Sequence, residues 1–251
     1  MSDTNLTPTP EATSDAIDMY KGQKSTLIMI IGKSGRGKST SLRNLDPTKT
    51  FLINTAGKLL PFQDGLSFNT DDKNCLITSD SALIKRTITE ISRNGVFENV
   101  VIDDCQYIMA DEFFDKALIK GYEKFAVMGQ HFWDILKLAS KLKPGLKIYM
   151  LGHEDENPNE RKLKTLGKMV DDKGCPEGLA TIVLFAETKV ENTKRIYYFD
   201  TQTDGITTAK SPMGMFPQRI PNDLSLVSAR INEYYGPKIK LKNSKLNFSI
   251  D

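Results

Sequence analysis

The sequence predicts an α/β domain, a mostly parallel sheet flanked by helices, and three observations predict it. Short apolar runs recur at 26–31, 50–54, 99–104 and 146–151. Between them lie segments with helical spacing or Gly/Pro punctuation, the alternation that a parallel sheet requires. A glycine-rich turn follows the first run directly, where a buried strand should pass into a helix.

That turn reads Gly-Lys-Ser-Gly-Arg-Gly-Lys-Ser-Thr from Gly32 to Thr40, and Gly32, Gly37, Lys38 and Ser39 satisfy the spacing G-x-x-x-x-G-K-[ST]. Three glycines in six positions let the backbone curl so that successive N–H groups face phosphate oxygens. The expected phosphate-binding set is Gly32, Ser34, Gly35, Arg36, Gly37, Lys38, Ser39 and Thr40. Lys38 is the cation for the β/γ-phosphates, and the Ser39 hydroxyl is a ligand for Mg2+. The pattern implies a P-loop fold and a nucleoside triphosphate.

The following helix, 38–45, is expected to be short because Asp46-Pro47 stops it. Residues 50–54 form the second strand, and 59–78 read as irregular. Ser79 or Asp80 caps a helix reaching Asn94, with Ile84, Ile88 and Ile91 on one face and Gly95 just beyond. The run 99–104 ends in Asp103 and Asp104, the Walker B arrangement, which brings a carboxylate to the sheet's ligand crevice. Asp103 is expected to hold Mg2+ through water. Residues 107–142 are helical in pattern with a break near Gly121, and their apolar stripe, Trp133 included, reads as core or as a face against a neighbouring subunit rather than a cofactor box. The strand 146–151 delivers His153 and Glu154 to the same rim. The polar segment 156–178 reads either as a solvated flap or as a nucleic-acid contact loop carrying Arg161, Lys162, Lys164 and Lys168. Strands at 180–188 and 195–201, joined by a short polar turn, form an antiparallel hairpin.

At 251 residues the chain fits one such domain with extensions. We divide it into a flexible arm (1–21) too polar to bury itself, a core (22–220) and a C-terminal extension (221–251) with a basic tail. A net charge of +2 is too small to point to a polyanionic partner without local clustering. Three cysteines and two histidines show no paired spacing, so neither a zinc site nor a disulfide framework is expected. No apolar run approaches the roughly 18 residues of a membrane span, and the first residues do not read as a secretory leader; a cytoplasmic location without membrane contact is expected.

The Walker A stretch at 32–39, the Walker B stretch at 99–104, the strand ending at His153 and the late hairpin together resemble the RecA-like ATPase core. More closely, the chain resembles the small phage-encoded RecA-core ATPases that accompany recombination and single-strand annealing functions. The stretches 99–109 (NVVIDDCQYIM), 129–136 (GQHFWDIL), 164–170 (KTLGKMV) and 208–216 (TAKSPMGMF) carry that likeness. The resemblance implies ATP with Mg2+, assembly into an oligomer or filament on single-stranded DNA, a single-strand-binding or annealing protein as partner, and the host cytoplasm as location. It also implies that His153 senses the γ-phosphate, and that Lys210, with Lys194 as rival, reaches the γ-phosphate of a neighbouring subunit.

One departure matters. RecA-like recombinases place a glutamate just after the second strand to position the attacking water, and here Ala56 stands there. Asp104 is the preferred substitute, provided that the chain has left the strand at that point, since consecutive strand residues face opposite sides; otherwise Asp104 caps the next helix or Glu154 takes the role. Two further readings stay open: a P-loop kinase for a small molecule or nucleotide, and an adaptor that binds ATP without turning it over.

Overall fold

The computed structural model describes residues 24–118, 120–121, 123–157, 159–166 and 174–236; Lys168, the arm and the basic tail lie outside them. The strands are β1 (Thr26–Ile31), β2 (Thr50–Asn54), β3 (Cys75–Ile77), β4 (Asn99–Asp103), β5 (Lys147–Gly152), β6 (Glu154–Asn157), β7 (Glu160–Leu163), β8 (Ile182–Glu191), β9 (Lys194–Asp200) and β10 (Arg219–Pro221). Eight of them form one sheet in the order β10-β9-β8-β1-β5-β4-β2-β3, and β6 and β7 form a second, two-stranded sheet. Every contact from β8 to β3 is parallel, and β8-β9 and β9-β10 are antiparallel. The mostly parallel α/β sheet is the expected one, with β5 inserted between the phosphate-loop strand β1 and the acid-bearing strand β4.

Strand alternation divides the core in two. On one face Leu27, Met29, Val100, Ile102, Ile148 and Met150 meet the helices α1 (Ser81–Asn94), α2 (Tyr107–Asp115) and α3 (Glu123–Ala139). Helix α1 begins where the Asp80 side chain accepts from the Leu83 amide and ends at Gly95, whose φ of 66° closes it. Its buried stripe of Ile84, Ile88 and Ile91 contributes about 1.5–3 kcal/mol per fully buried side chain. The one-turn helix α4 (Pro176–Leu179) leads into β8. On the opposite face Ile28, Ile30, Val101, Tyr149 and Leu151 meet Leu42 and the helix α5 (Leu224–Tyr235), which buries Leu224, Val227 and Ile231. Part of the stretch 221–251 thus packs against the sheet.

Four elements differ from the sequence expectation. The helix after the phosphate loop is a 3-10 segment, Ser39–Asn44, tightened where the Ser41 amide is shared between the Gly37 and Lys38 carbonyls and the Leu45 amide returns to Leu42. A three-residue edge strand, β3, lies inside the stretch read as irregular. The polar segment after His153 begins with the hairpin β6-β7. Strand β4 ends one residue earlier than expected, at Asp103. The predicted late hairpin turns at Asn192 and Thr193, both at positive φ, as a two-residue turn between right-twisted strands demands.

Candidate phosphate-binding site

The loop 32–38 follows the carboxyl end of β1, between the carboxyl end of β5 and the middle of β8. The Gly32 amide donates to the Gly152 carbonyl at 3.3 Å, and a Cβ at residue 32 would sit 2.7 Å from the Ala186 carbonyl oxygen. Gly37 has φ +88° and faces the Tyr197 ring, which a Cβ would meet at 2.7 Å. Only glycine fits these two positions, for want of space at the first and for both space and backbone angle at the second. Arg36 fixes the loop's outer side: its guanidinium is 2.9 Å from the Glu187 carboxylate and donates to Thr188 Oγ1 at 3.1 Å. Ser34 and Gly35 are exposed at the tip, and Thr40 is half-buried in the 3-10 segment.

Lys38 is buried, and its ammonium donates to the carbonyls of Gly32 at 2.8 Å and Lys33 at 3.1 Å. Burial lowers its pKa, with Asp104 and Asp103 opposing. Ser39 Oγ donates to Asp103 Oδ1 at 2.9 Å, joining the loop to the end of β4 across the inserted strand. The second oxygen, Asp103 Oδ2, is buried without a hydrogen-bond partner. Burial, reinforced by the charge of Asp104, pushes the Asp103 carboxyl up to about 6. An orphaned carboxylate oxygen beside a serine hydroxyl fits a hard divalent cation. No cluster of three acidic, histidine or cysteine side chains forms a complete metal cage among the described residues. That set suits Mg2+, which takes one or two protein oxygens and fills its octahedron with water and phosphate oxygens.

Asp104 has left the strand. Its φ of 57° turns the chain at the end of β4, and its carboxylate does not cap α2. Instead it accepts from Lys58 Nζ and, at 3.4 Å, from Gln106 Nε2, with His153 Nε2 at 3.6 Å. Burial pushes its pKa up, but the hydrogen bonds from His153 and Lys58 reverse that and hold it well below the usual carboxylate range. Gln106 also accepts from the His153 amide at 3.3 Å, so one side chain orients both the acid and the histidine. Lys58 and Gln106 are the residues that sequence reasoning missed. The signal for Lys58 lay in the departure at Ala56: two positions on, a cation stands where an acid was sought.

The remaining predicted residues are placed differently. Glu154 is buried and accepts from Arg161 at 2.7 Å, with Lys33 Nζ 3.9 Å from its other oxygen. Arg161 also pairs with Glu187 and lies over the Phe185 ring, so its guanidinium is held between two carboxylates beneath the loop surface. Lys162 pairs with Glu160 at 3.4 Å, and Lys164 is exposed. Lys210 pairs through its backbone with Val183, three residues or about 10 Å along β8 from Ala186, away from this chain's own phosphate loop. Lys194 lies exposed at the far tip of the β8-β9 hairpin. His131, on α3, bonds Glu112 of α2 at 2.9 Å. A cavity of about 330 Å³ opens beside His153, lined by Gln106, Tyr107, Glu154, Lys164 and Leu166 among others.

No helix among the described residues is long and apolar enough to cross a membrane. No family model and no curated protein matches the sequence. Among solved structures the chain is similar to a KaiC-like protein from the hyperthermophilic archaeon Pyrococcus horikoshii, at 12% identity and a TM-score of 0.46 over 79% of this chain and 85% of that one. The strand order itself places the phosphate loop, Asp103 and His153 at three adjacent carboxyl ends.

Proposed function

We propose that the chain is an ATP-binding and ATP-hydrolysing protein of the RecA-like type. One observation carries this reading: the Ser39–Asp103 hydrogen bond with its orphaned carboxylate oxygen, beside the Lys38 ammonium and a loop that glycine alone can form. Ser39 and Asp103 would hold Mg2+, which when bound neutralises charge on the β- and γ-phosphates. Lys38 exchanges its carbonyl partners for phosphate oxygens, a stronger, charge-assisted bond. In hydrolysis the water oxygen bonds to the γ-phosphorus while the β–γ bridging oxygen leaves with its electron pair on ADP. Asp104, held ionised, orients that water, and the proton ends on the released phosphate, as suits a loose transition state. His153 offers a hydrogen bond to the transferring group.

A role in phage-type DNA recombination or replication, with nucleotide-dependent assembly on single-stranded DNA, is supported by the sequence resemblance. Among the described residues of the polar segment Lys164 is an exposed cation for that contact, and Lys210 the candidate contributed to a neighbouring subunit. Phosphate release measured with and without single-stranded DNA tests the whole reading: stimulated turnover is expected, and absence of any turnover overturns hydrolysis.

A second reading is favoured by a specific observation. Ala56 removes the usual acid and Lys58 covers its substitute, an arrangement suited to ATP binding without turnover. Tight binding of ATP with no phosphate release would establish it. The kinase reading gains nothing from the site, since the one arginine in the segment after His153 is held by Glu154 and Glu187.

A further inference from the structure

We infer that Lys58 reads the γ-phosphate, exchanging its ion pair with Asp104 for one with the terminal phosphate and so making the protein distinguish nucleoside triphosphate from diphosphate. This rests on the triphosphate reading above.

The backbone around Lys58 is fixed. Asn54 Nδ2 donates to the Lys58 carbonyl at 2.7 Å, Gly57 turns the chain at φ 64°, and Thr55 Oγ1 donates to the carbonyls of both Asp103 and Asp104 at 2.8 Å. The loop after β2 is thereby bolted to the end of β4. What can move is the four-carbon side chain, half exposed at 51% against 2% for Asp104. Rotation about its own bonds leaves the scaffold intact.

The position selects the terminal phosphate. Lys38 approaches from β1, Ser39 and Asp103 meet in front of β4, and Lys58 comes from β2, on the far side of Asp103 from the loop. A triphosphate running from the loop past that serine–aspartate pair therefore presents its last phosphate toward Lys58. Lys58 is also near enough to Lys38 for the two cations to oppose each other, and near enough to be drawn by Asp103. Two lysines and two aspartates at one rim are balanced in charge; a polyanion added there needs a cation, and Lys58 is the mobile one. Its departure from Asp104 frees the carboxylate oxygen that it covers, so recognition of the γ-phosphate and exposure of the water-orienting acid become one event. Lys58 is on this view a specificity and positioning residue.

The test compares binding of a non-hydrolysable ATP analogue and of ADP, each with Mg2+, to the full chain and to its Lys58→Ala and Lys58→Arg variants. The parent is expected to favour the analogue. Lys58→Ala should lose about tenfold or more for the analogue, the worth of a hydrogen bond to a charged group, with ADP affinity unchanged, and Lys58→Arg should recover most of the loss. Equal analogue-to-ADP ratios in parent and Lys58→Ala overturn the inference while leaving the nucleotide site standing. A Lys58→Ala variant with faster turnover and unchanged discrimination also overturns it, showing a plain mask on Asp104. Failure of the parent to bind either nucleotide overturns both this inference and the reading beneath it.

Discussion

Asp103→Asn should make the protein more stable in metal-free buffer at alkaline pH, while removing its response to magnesium. The Asp103 side chain is almost wholly buried, and burial together with the adjacent Asp104 charge raises it from the ordinary 3.8 to about 6. An acid whose folded-state pKa lies above its unfolded value holds its proton more tightly in the folded chain. Its effect is nil below the unfolded value; stability then falls as pH rises from 3.8 to about 6, and stays lower above that. At about 1.4 kcal/mol per pH unit the full loss is about 3 kcal/mol. Asparagine keeps the size of the side chain and the oxygen that accepts from Ser39, and it carries no charge to desolvate. The variant is therefore expected to exceed the parent by up to about 3 kcal/mol at pH 8 and by about half of that at pH 5. In a chain of this size that is a rise of roughly 6–12 °C in Tm at pH 8. Calorimetry or denaturant unfolding with a chelator, at both pH values, measures it; adding magnesium to the protein with a non-hydrolysable ATP analogue should then raise the parent's Tm further and leave the variant's unmoved. A variant no more stable than the parent at pH 8 would refute the claim that an uncompensated buried carboxylate waits there for a cation. The stability given up at this position is of the kind that binding sites commonly carry.

Other substitutions separate the roles at the rim. Lys38→Ala should abolish nucleotide binding in a fluorescence titration, because it removes the buried cation from the loop; unchanged affinity would end the phosphate-site assignment. Asp104→Asn should slow phosphate release more than it weakens ATP binding, and equal turnover would transfer the water-orienting role to Glu154. Arg161→Ala strands the carboxylates of Glu154 and Glu187 and is expected to cost on the order of 3 kcal/mol in denaturant unfolding, somewhat discounted because the guanidinium is partly exposed; a loss below about 1 kcal/mol, the worth of a surface pair, would return it to the set of free cations. Lys164→Gln should lower the salt dependence of single-stranded DNA binding by about one phosphate contact without altering the melting temperature, and an unchanged salt slope would remove that loop from the DNA interface.

Local pattern made the centre of the molecule legible. The run before Gly32, the glycine spacing and the acids ending at Asp104 each report on a few consecutive residues, and the shared direction of the parallel strands carries them to one rim. The features that escaped depend on distant partners or weak periodicity. Strand β3 is three residues long at a sheet edge, and β6-β7 is a polar hairpin whose pairing leaves no apolar alternation to read. Helix α5 did carry a signal, Asp223 before Leu224, Val227 and Ile231, inside a stretch taken as an extension. The polar segment suggested four cations for a nucleic acid, yet Arg161 finds its carboxylates 7 and 26 positions away, one of them on β8. Lys58 was hidden for the same reason, since its meaning comes from Asp104, 46 positions on.

The central claim is that the loop from Gly32 to Ser39 grips a triphosphate whose metal is held by Ser39 and Asp103. A crystal structure with magnesium and a non-hydrolysable ATP analogue measures this most directly. The expected density has the β- and γ-phosphates inside that loop, Lys38 turned from the Gly32 and Lys33 carbonyls onto them, and a metal between Ser39 Oγ and the Asp103 carboxylate. A nucleotide bound elsewhere, with Lys38 still on those carbonyls, would contradict it.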